Sequence, residues 1–346
     1  MGDILYELNQ VRHYYGDKQV LDIEALKIPK GSILGLSGPN GSGKSTLLKI
    51  LAFAMAPSQG QVKFNNRKER PMSPGIRSKV TLLTQKPYLL KRTVFDNVIY
   101  GLKIRKDKDN LHQRAAHALE RVGLNYDDFH HRFWDELSGG EAQRVAMAAR
   151  LILHPMALLL DEPVANVDTK SATLIRKAAM SAKKSWGCTL VIVSHDLSWL
   201  HQCSDTKISM AEGRIFSTGE ESMIPRPYTL LQDSGSAHPK DRVLVKDLGK
   251  NAFIRLSPKT GKTAVIPKEK IKLCLSKENN NGYDNQIRAS ITQMLLEQKN
   301  NNILTTIQVD SFSLTLSLSH DQVKAQSLFP GKQIILMFRA RDIAWR

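Results

Sequence analysis

The stretch GPNGSGKST, residues 38–46, decides the fold of the larger part of this chain. It satisfies G-x-x-x-x-G-K-[ST] and lies between the apolar run SILGLSG (32–38) and the helix-like KSTLLKILA (44–52). Gly38, Gly41 and Gly43 let backbone N–H groups crowd around phosphate oxygens. Lys44 can then reach the β- and γ-phosphates, and Ser45 can ligate Mg²⁺. A strand, a glycine-rich loop and a helix in that order predict a nucleotide phosphate cradle.

Working outward, KVTLLTQ (79–85), MALLLDE (156–162) and TLVIVSH (189–195) also read as buried strands. Between them, LHQRAAHALERVGL places Leu111, Ala115, Ala118, Leu119 and Val122 on one helical face, with Gly123 as its stop. Strands interleaved with helices predict a largely parallel sheet, with ligands at the strand C-terminal ends. Each strand ends on a polar group that is costly there unless it meets a ligand. Asp161 is placed to enter a Mg²⁺ shell, and Glu162 to polarise an attacking water as general base. His195 and Gln85 end further strands of the same sheet, where they could contact the γ-phosphate and that water.

Composition narrows the class. The chain has 346 residues and a formal net charge of +17. Residues 237–346 carry 18 Lys/Arg against 9 Asp/Glu, so this part is the more basic per residue. Such a surface suits nucleic acid, anionic lipid or a small anion. Cys188, Cys203 and Cys274 have no CxxC spacing, which fits a reducing cytosol. MGDILYELNQ lacks a basic region followed by an apolar one, so no signal peptide is expected. No charge-free apolar run reaches the roughly 18–20 residues of a spanning helix.

Near PRPYTLLQDSGSAHPKD (225–241) the composition turns to Pro, Gly and Ser, and beyond it the apolar period becomes two. SFSLTLSLSH puts Phe312, Leu314, Leu316 and Leu318 on one face; IKLCLS (271–276) and QIILMF (333–338) are further strands. KENNNGYDN and QKNNN read as loops between them. The expected organisation is an α/β domain over 1–235 and a small all-β, barrel-like domain over 236–346.

LSGGE (137–141) carries no nucleophile and no metal spacing, yet a helix-like EAQRVAMAARL begins within it. With the phosphate loop, Gln85, LLLDEP (158–163), ANVD (165–168) and SHD (194–196), it completes a set that resembles the ABC transporter ATPases over roughly residues 4–222. The resemblance implies a P-loop ATPase domain with a helical subdomain and ATP with Mg²⁺ as cofactors. It implies that Gly38, Pro39, Asn40, Gly41, Ser42, Gly43, Lys44, Ser45 and Thr46 form the Walker A cradle. Ser45, Gln85 and Asp161 would serve the metal, and Glu162, His195 and Gln85 the hydrolysis. Tyr15 in HYYG looks like the aromatic that stacks on adenine, with Tyr14 its off-by-one rival. Asp168 resembles the aspartate that couples two sites.

In that family each ATP lies between one subunit's Walker A and a second copy's LSGG. Ser138, Gly139, Gly140 and Glu141 would therefore serve the other copy's γ-phosphate, as a helix N-terminus with free N–H groups can. The implied partners are a second copy, a transmembrane permease docking on 86–105 and, indirectly, a solute-binding protein. The implied location is peripheral, on the cytoplasmic face of the membrane. A soluble ABC ATPase acting on nucleic acid or ribosomes is the rival. Second ATPase units, long coiled coils and zinc fingers are not seen in the sequence, and no nucleic acid is expected.

From Asp284 on, the tail is similar to the Mop-type (TOBE-like) module of oxyanion importers, and residues 242–275 to an earlier half of the same OB-like barrel. TVFDNVIYGLKIR (93–105) looks closer to tungstate-type than to sugar-type importers. Tungstate or molybdate is the expected cargo, with sulfate, iron, polyamine or sugar as alternatives. The tail departs from the module's Ser-x-Arg-Asn start, having Gly282, Tyr283, Asp284 and Asn285 there. Lys332 remains as a possible oxyanion contact, and dimerisation is the expected main role of this domain.

Overall fold

The computed structural model describes residues 3–217, 221–224, 229–232, 242–249, 252–256, 264–275, 282–297, 301–309 and 312–345. Its first elements are a long antiparallel hairpin, Ile4–Tyr15 (β1) and Lys18–Pro29 (β2). Ile33–Ser37 (β3) runs into the phosphate loop and then into the helix Lys44–Leu51 (α1). Gln59–Phe64 (β4) and Arg67–Lys68 (β5) complete a four-stranded sheet in the order β2-β1-β4-β5. A single turn, Pro74–Arg77 (α2), precedes Val80–Leu83 (β6). The helical region comes next, with Val94–Ile104 (α3), Leu111–Arg121 (α4), Tyr126–Phe129 (α5) and Gly139–Leu151 (α6). Ala157–Asp161 (β7), Thr169–Trp186 (α7), Thr189–Val193 (β8), Leu197–Cys203 (α8), Thr206–Ala211 (β9) and Arg214–Ser217 (β10) close the first unit's elements.

A six-stranded sheet has the order β10-β9-β3-β8-β7-β6, and β9 through β6 run parallel. Strands covered on both faces read as unbroken apolar runs, and here alternation sorts them by face. Leu158, Leu160, Leu190 and Ile192 pack in one core with the helical residues Val98, Leu119, Val145 and Ala179. Leu159, Val191 and Val193 pack in the other with Leu47 and Leu48 of α1 and Leu8 and Val11 of β1. The face expected for 111–122 is the buried one: Ala115, Ala118, Leu119 and Val122 are all inaccessible or nearly so. Gly123 takes φ +70 just after it, a conformation that glycine adopts without strain.

The chain divides into two compact units at Phe216/Ser217, earlier than the expected boundary after residue 235. The reason is backbone pairing. Glu221–Ile224 (β11) and Thr229–Gln232 (β12) already hydrogen-bond to strands of the second unit. Residues 225–228 and 233–241 of the Pro/Gly/Ser-rich stretch lie outside the described residues, as do 277–281 and 298–300 of the two Asn-rich loops and residue 276 at the end of IKLCLS.

The second unit continues with Arg242–Gly249 (β13), Ala252–Arg255 (β14), Ala264–Pro267 (β15), Lys272–Cys274 (β16), Asn285–Glu297 (β17), Asn302–Val309 (β18) and Phe312–Leu318 (β19). It ends with the short helix His320–Ala325 (α9), Gln333–Phe338 (β20) and Ala344–Trp345 (β21). Five strands form an antiparallel sheet, β16-β20-β17-β18-β19, beside the three-stranded sheets β11-β15-β21 and β12-β13-β14. This is the all-β unit that the period of two predicts, and its half-barrel sheet is consistent with the OB-like fold that the resemblance implies. Leu314, Leu316 and Leu318 are buried and Ser317 is exposed, while the side chain of Phe312 lies outside the described residues. Among the described residues, no helix is long and apolar enough to cross a membrane.

Tyr6 shows how tightly the antiparallel sheet is tied to α1. Its ring is fully buried edge-on to Phe64, and its hydroxyl donates to the carbonyl of Leu51 at 3.1 Å. Tyr6→Phe should lower stability by about 1–2 kcal/mol, because the buried carbonyl then loses a donor. Urea denaturation of the two proteins, compared at equal m-value, measures this directly.

Candidate nucleotide site

The parallel register brings the strand ends to one edge. Leu36 aligns with Val193, Asp161 with Val193, and Leu83 with Leu160. The residues just beyond each strand therefore reach one cavity of about 340 Å³, lined by Lys18, Val20, Asn40, Gly41, Gly43, Lys44, Ser45, Thr46, Gln85, Asp161, Glu162 and His195.

The phosphate loop is shaped by close approach. A Cβ on Gly38, at φ +141, would meet the carbonyl oxygen of Met210 at 2.1 Å; one on Gly43, at φ +101, would meet that of Val20 at 2.7 Å. Gly43 is also the N-cap of α1 and offers no side chain, so the first N–H groups of the helix point into the cavity unclaimed. Lys44 folds back to donate to the carbonyls of Gly38 (2.8 Å) and Pro39 (2.9 Å). Burial lowers its pKa, and the carboxylates of Glu162 and Asp161 oppose that. A phosphate oxygen offers this ammonium a charged acceptor in place of two neutral ones.

Glu162 stands at φ +48, a strained conformation for a residue with a side chain. Its N–H donates to the carbonyl of Val193, so the sheet edge holds the turn in place. One carboxylate oxygen accepts the N–H of His195 at 3.2 Å, and the other lies 3.4 Å from Nε2 of that histidine. The same Nε2 is 3.2 Å from the amide oxygen of Asn40. A carboxylate held this way, at the mouth of a phosphate loop, can accept a proton from a water.

Gln85 lines the cavity, although β6 ends at Leu83, so it reaches the site from a loop and not from the strand. Ser45, Gln85 and Asp161 are all hard oxygen donors. Among the described residues, no cluster of three or more His, Cys, Asp or Glu could hold an ion alone. A cation here would have to complete its shell with phosphate and water, which fits Mg²⁺.

The other expected residues lie outside the cavity lining. Tyr15 is 48% exposed at the hairpin end; its ring meets His13 edge-on and its hydroxyl lies 3.8 Å from Sδ of Met55. Its rival Tyr14 is half-buried, its N–H donating to Ser58. Pro39 supplies only a carbonyl to Lys44, and the hydroxyl of Ser42 is buried without a partner. Ser138 is the N-cap of α6, its hydroxyl accepting the N–H of Glu141 at 3.3 Å, while the carboxylate of Glu141 accepts the N–H of Ser138 at 2.9 Å. This reciprocal capping box commits one carboxylate oxygen of Glu141 to the start of its own helix. Its pKa falls because of the Ser138 N–H. Gly139 and Gly140 keep first-turn N–H groups with no intrahelical acceptor. Asp168 caps α7 by accepting the N–H of Ser171 at 2.8 Å, and bonds from Ser171 lower its pKa.

Lys18 and Val20 line the cavity without any motif to mark them in the sequence. They are close to the phosphate loop only in space: β2 doubles back beside it, so Val20 meets Gly43 through a backbone contact.

In the second unit, the positions aligned with the module's anion-binding start do structural work. The carboxylate of Asp284 accepts the N–H of Ala340, and the buried Asn285 side chain bridges both backbone groups of Arg255. Lys332 is occupied too, donating to the carbonyls of Gln326 and Ser327 at 2.8 Å each.

Residues 21–165 match the family model described as ABC transporter. The chain is 33% identical over 209 residues to the tungstate uptake system ATP-binding protein TupC of Peptoclostridium acidaminophilum, covering 60% of this chain and 95% of that one. The chain belongs to the ABC transporter family. Another ABC relative is the spermidine/putrescine import ATP-binding protein PotA of Bacteroides fragilis, 37% identical over 217 residues. That match covers 62% of this chain but only 46%, about half, of the relative's length. Among solved ABC structures, cbiO1 of Clostridium perfringens, part of the complex cbiONQ, is 29% identical with a TM-score of 0.56, over 62% of this chain and 87% of that one. The dimeric, post-hydrolysis ATP-binding cassette MJ0796, bound to ADP and Pi, is 26% identical with a TM-score of 0.56, over 62% and 98%.

Gly38→Ala should remove nucleotide binding, since the added methyl collides with backbone and not with a side chain able to move. Titration with a fluorescent ATP analogue should show at least a roughly hundredfold weaker Kd, beyond the usual cost of one strained residue.

Proposed function

We propose that this chain is the ATP-hydrolysing subunit of an ABC importer, working as a head-to-tail pair on a separate membrane permease. The observation that carries this reading is the meeting of Lys44, Ser45, Asp161, Glu162 and His195 in one cavity at the ends of parallel strands. ATP enters with its phosphates over the first turn of α1, and Lys44 exchanges its loop carbonyls for β- and γ-oxygens. Ser45, Gln85 and Asp161 hold Mg²⁺, which when bound neutralises charge building on the transferred phosphoryl group. Glu162, oriented by His195, takes the proton of the attacking water.

Tyr15, exposed at the hairpin end, receives the adenine face. The LSGGE segment serves the γ-phosphate held by a second copy. Gly139 and Gly140 supply N–H groups, Ser138 supplies the hydroxyl proton its capping bond leaves free, and Glu141 stabilises the helix start from behind. The exposed side chains of Tyr88 (78%), Tyr100 and Ile104 support a permease docking surface within 86–105. That partner would hold the chain peripherally at the cytoplasmic face, with a solute-binding protein on the far side.

The cargo reading is a tungstate- or molybdate-type oxyanion. It is supported by the tail's strand pattern, by the basic charge of 237–346 and by the similarity to a tungstate uptake protein. The occupied Asp284, Asn285 and Lys332 favour a dimerisation role for the second unit over anion sensing. A polyamine cargo is the second reading, favoured by the similarity to several spermidine/putrescine import proteins.

Glu162→Gln should lower kcat at least about a hundredfold while ATP still binds, and should trap an ATP-bound dimer on size exclusion. Near-normal turnover would remove Glu162 as the base. For the cargo, cells lacking this chain should lose uptake of radiolabelled tungstate and retain that of spermidine. The reverse pattern would establish the polyamine reading.

A further inference from the structure

The contact between Asn40 and His195 joins two loops that are 155 residues apart in sequence. The amide oxygen of Asn40 lies 3.2 Å from Nε2, and an amide oxygen only accepts hydrogen bonds. The imidazole proton must then sit on Nε2. That nitrogen also faces Oε1 of Glu162 at 3.4 Å, an oxygen sealed from solvent with no hydrogen-bond partner of its own. The second carboxylate oxygen is already occupied by the N–H of His195. Every constraint on the carboxylate head of Glu162 among these contacts therefore passes through His195.

We propose that Asn40 is a positioning residue for hydrolysis, fixing His195 in its Nε2–H tautomer and holding that proton beside Oε1 of Glu162. The His195 side chain is 57% exposed, so packing alone does not select its ring orientation or tautomer. Asn40 belongs to the loop that receives the phosphates. The loop that senses the substrate thus sets the group that orients the base. A lysine or an alanine at position 40 could keep the loop but not this acceptor. The inference rests on Glu162 being the base, and its test separates the two claims.

The test is ¹⁵N NMR of the imidazoles in the full, nucleotide-free chain above the histidine titration range, with His195→Gln to assign the signal. The parent should show the Nε2–H tautomer for His195. Asn40→Ala should give shifts averaged between the two tautomers, and Asn40→Asp, which retains the acceptor oxygen, should restore the Nε2–H pattern. In steady state, Asn40→Ala should lower kcat roughly five- to tenfold, the scale of one hydrogen bond, with a smaller change in KM for ATP. An Nδ1–H tautomer in the parent overturns the proposal, as does an Asn40→Ala spectrum identical to the parent's. Should the alanine variant fail to fold, loss of the Nε2–H pattern in Asn40→Asp also overturns it. Either result leaves the base role of Glu162 standing, whereas normal turnover of Glu162→Gln would end that role without touching the tautomer.

Discussion

The site depends on the parallel ladder that joins β3, β8, β7 and β6. Its backbone hydrogen bonds fix how far each strand runs, and so which residue first escapes the sheet. Leu36, Val193 and Asp161 share a register line, and the placement of the phosphate loop, His195 and Glu162 is set by it. The apolar cores on both faces make that register expensive to change, since a one-residue slip would turn Leu158 and Leu160 into the wrong core. Polar groups are thus carried to the cavity at the sheet edge by strands that are themselves almost wholly apolar.

Much of this is legible in the sequence because it arises from local pattern. The glycines at 38 and 43 announce a loop that must approach other backbone, and the structure supplies the atoms they approach, in Met210 and Val20. The buried strands and the face of 111–122 come from apolar period alone. Less legible is anything set by long-range pairing. The unit boundary lies at 216/217 because β11 and β12, short and without a marked pattern, pair with strands far downstream. Lys18 and Val20 reach the cavity only because β2 folds back past α1. The bond from Asn40 to His195 leaves no trace in sequence spacing.

The helix start at Ser138 shows one residue pattern carrying two demands. Its capping box uses the hydroxyl oxygen and the carboxylate of Glu141 to close the helix end on itself. Yet the box leaves the first-turn N–H groups of the two glycines, exposed Gly139 and buried Gly140, without an intrahelical acceptor. A motif that looks empty of chemistry is one in which the side chains have turned inward. In the second unit the same logic runs the other way. Asp284, Asn285 and Lys332 look like ligand-binding types, and each is bound instead to the protein's own backbone.

Gly140 has a mechanical consequence. A Cβ there would lie 2.6 Å from both Oδ2 of Asp168 and Oγ of Ser171. The beginnings of α6 and α7 therefore mesh like two teeth with no gap between them. Any displacement of the segment that opens α6 must push on Asp168, whose carboxylate is already tied to the first turn of α7. The α7 helix runs on to Trp186, so a small movement at the glycine pair is delivered along a rigid lever of eighteen residues.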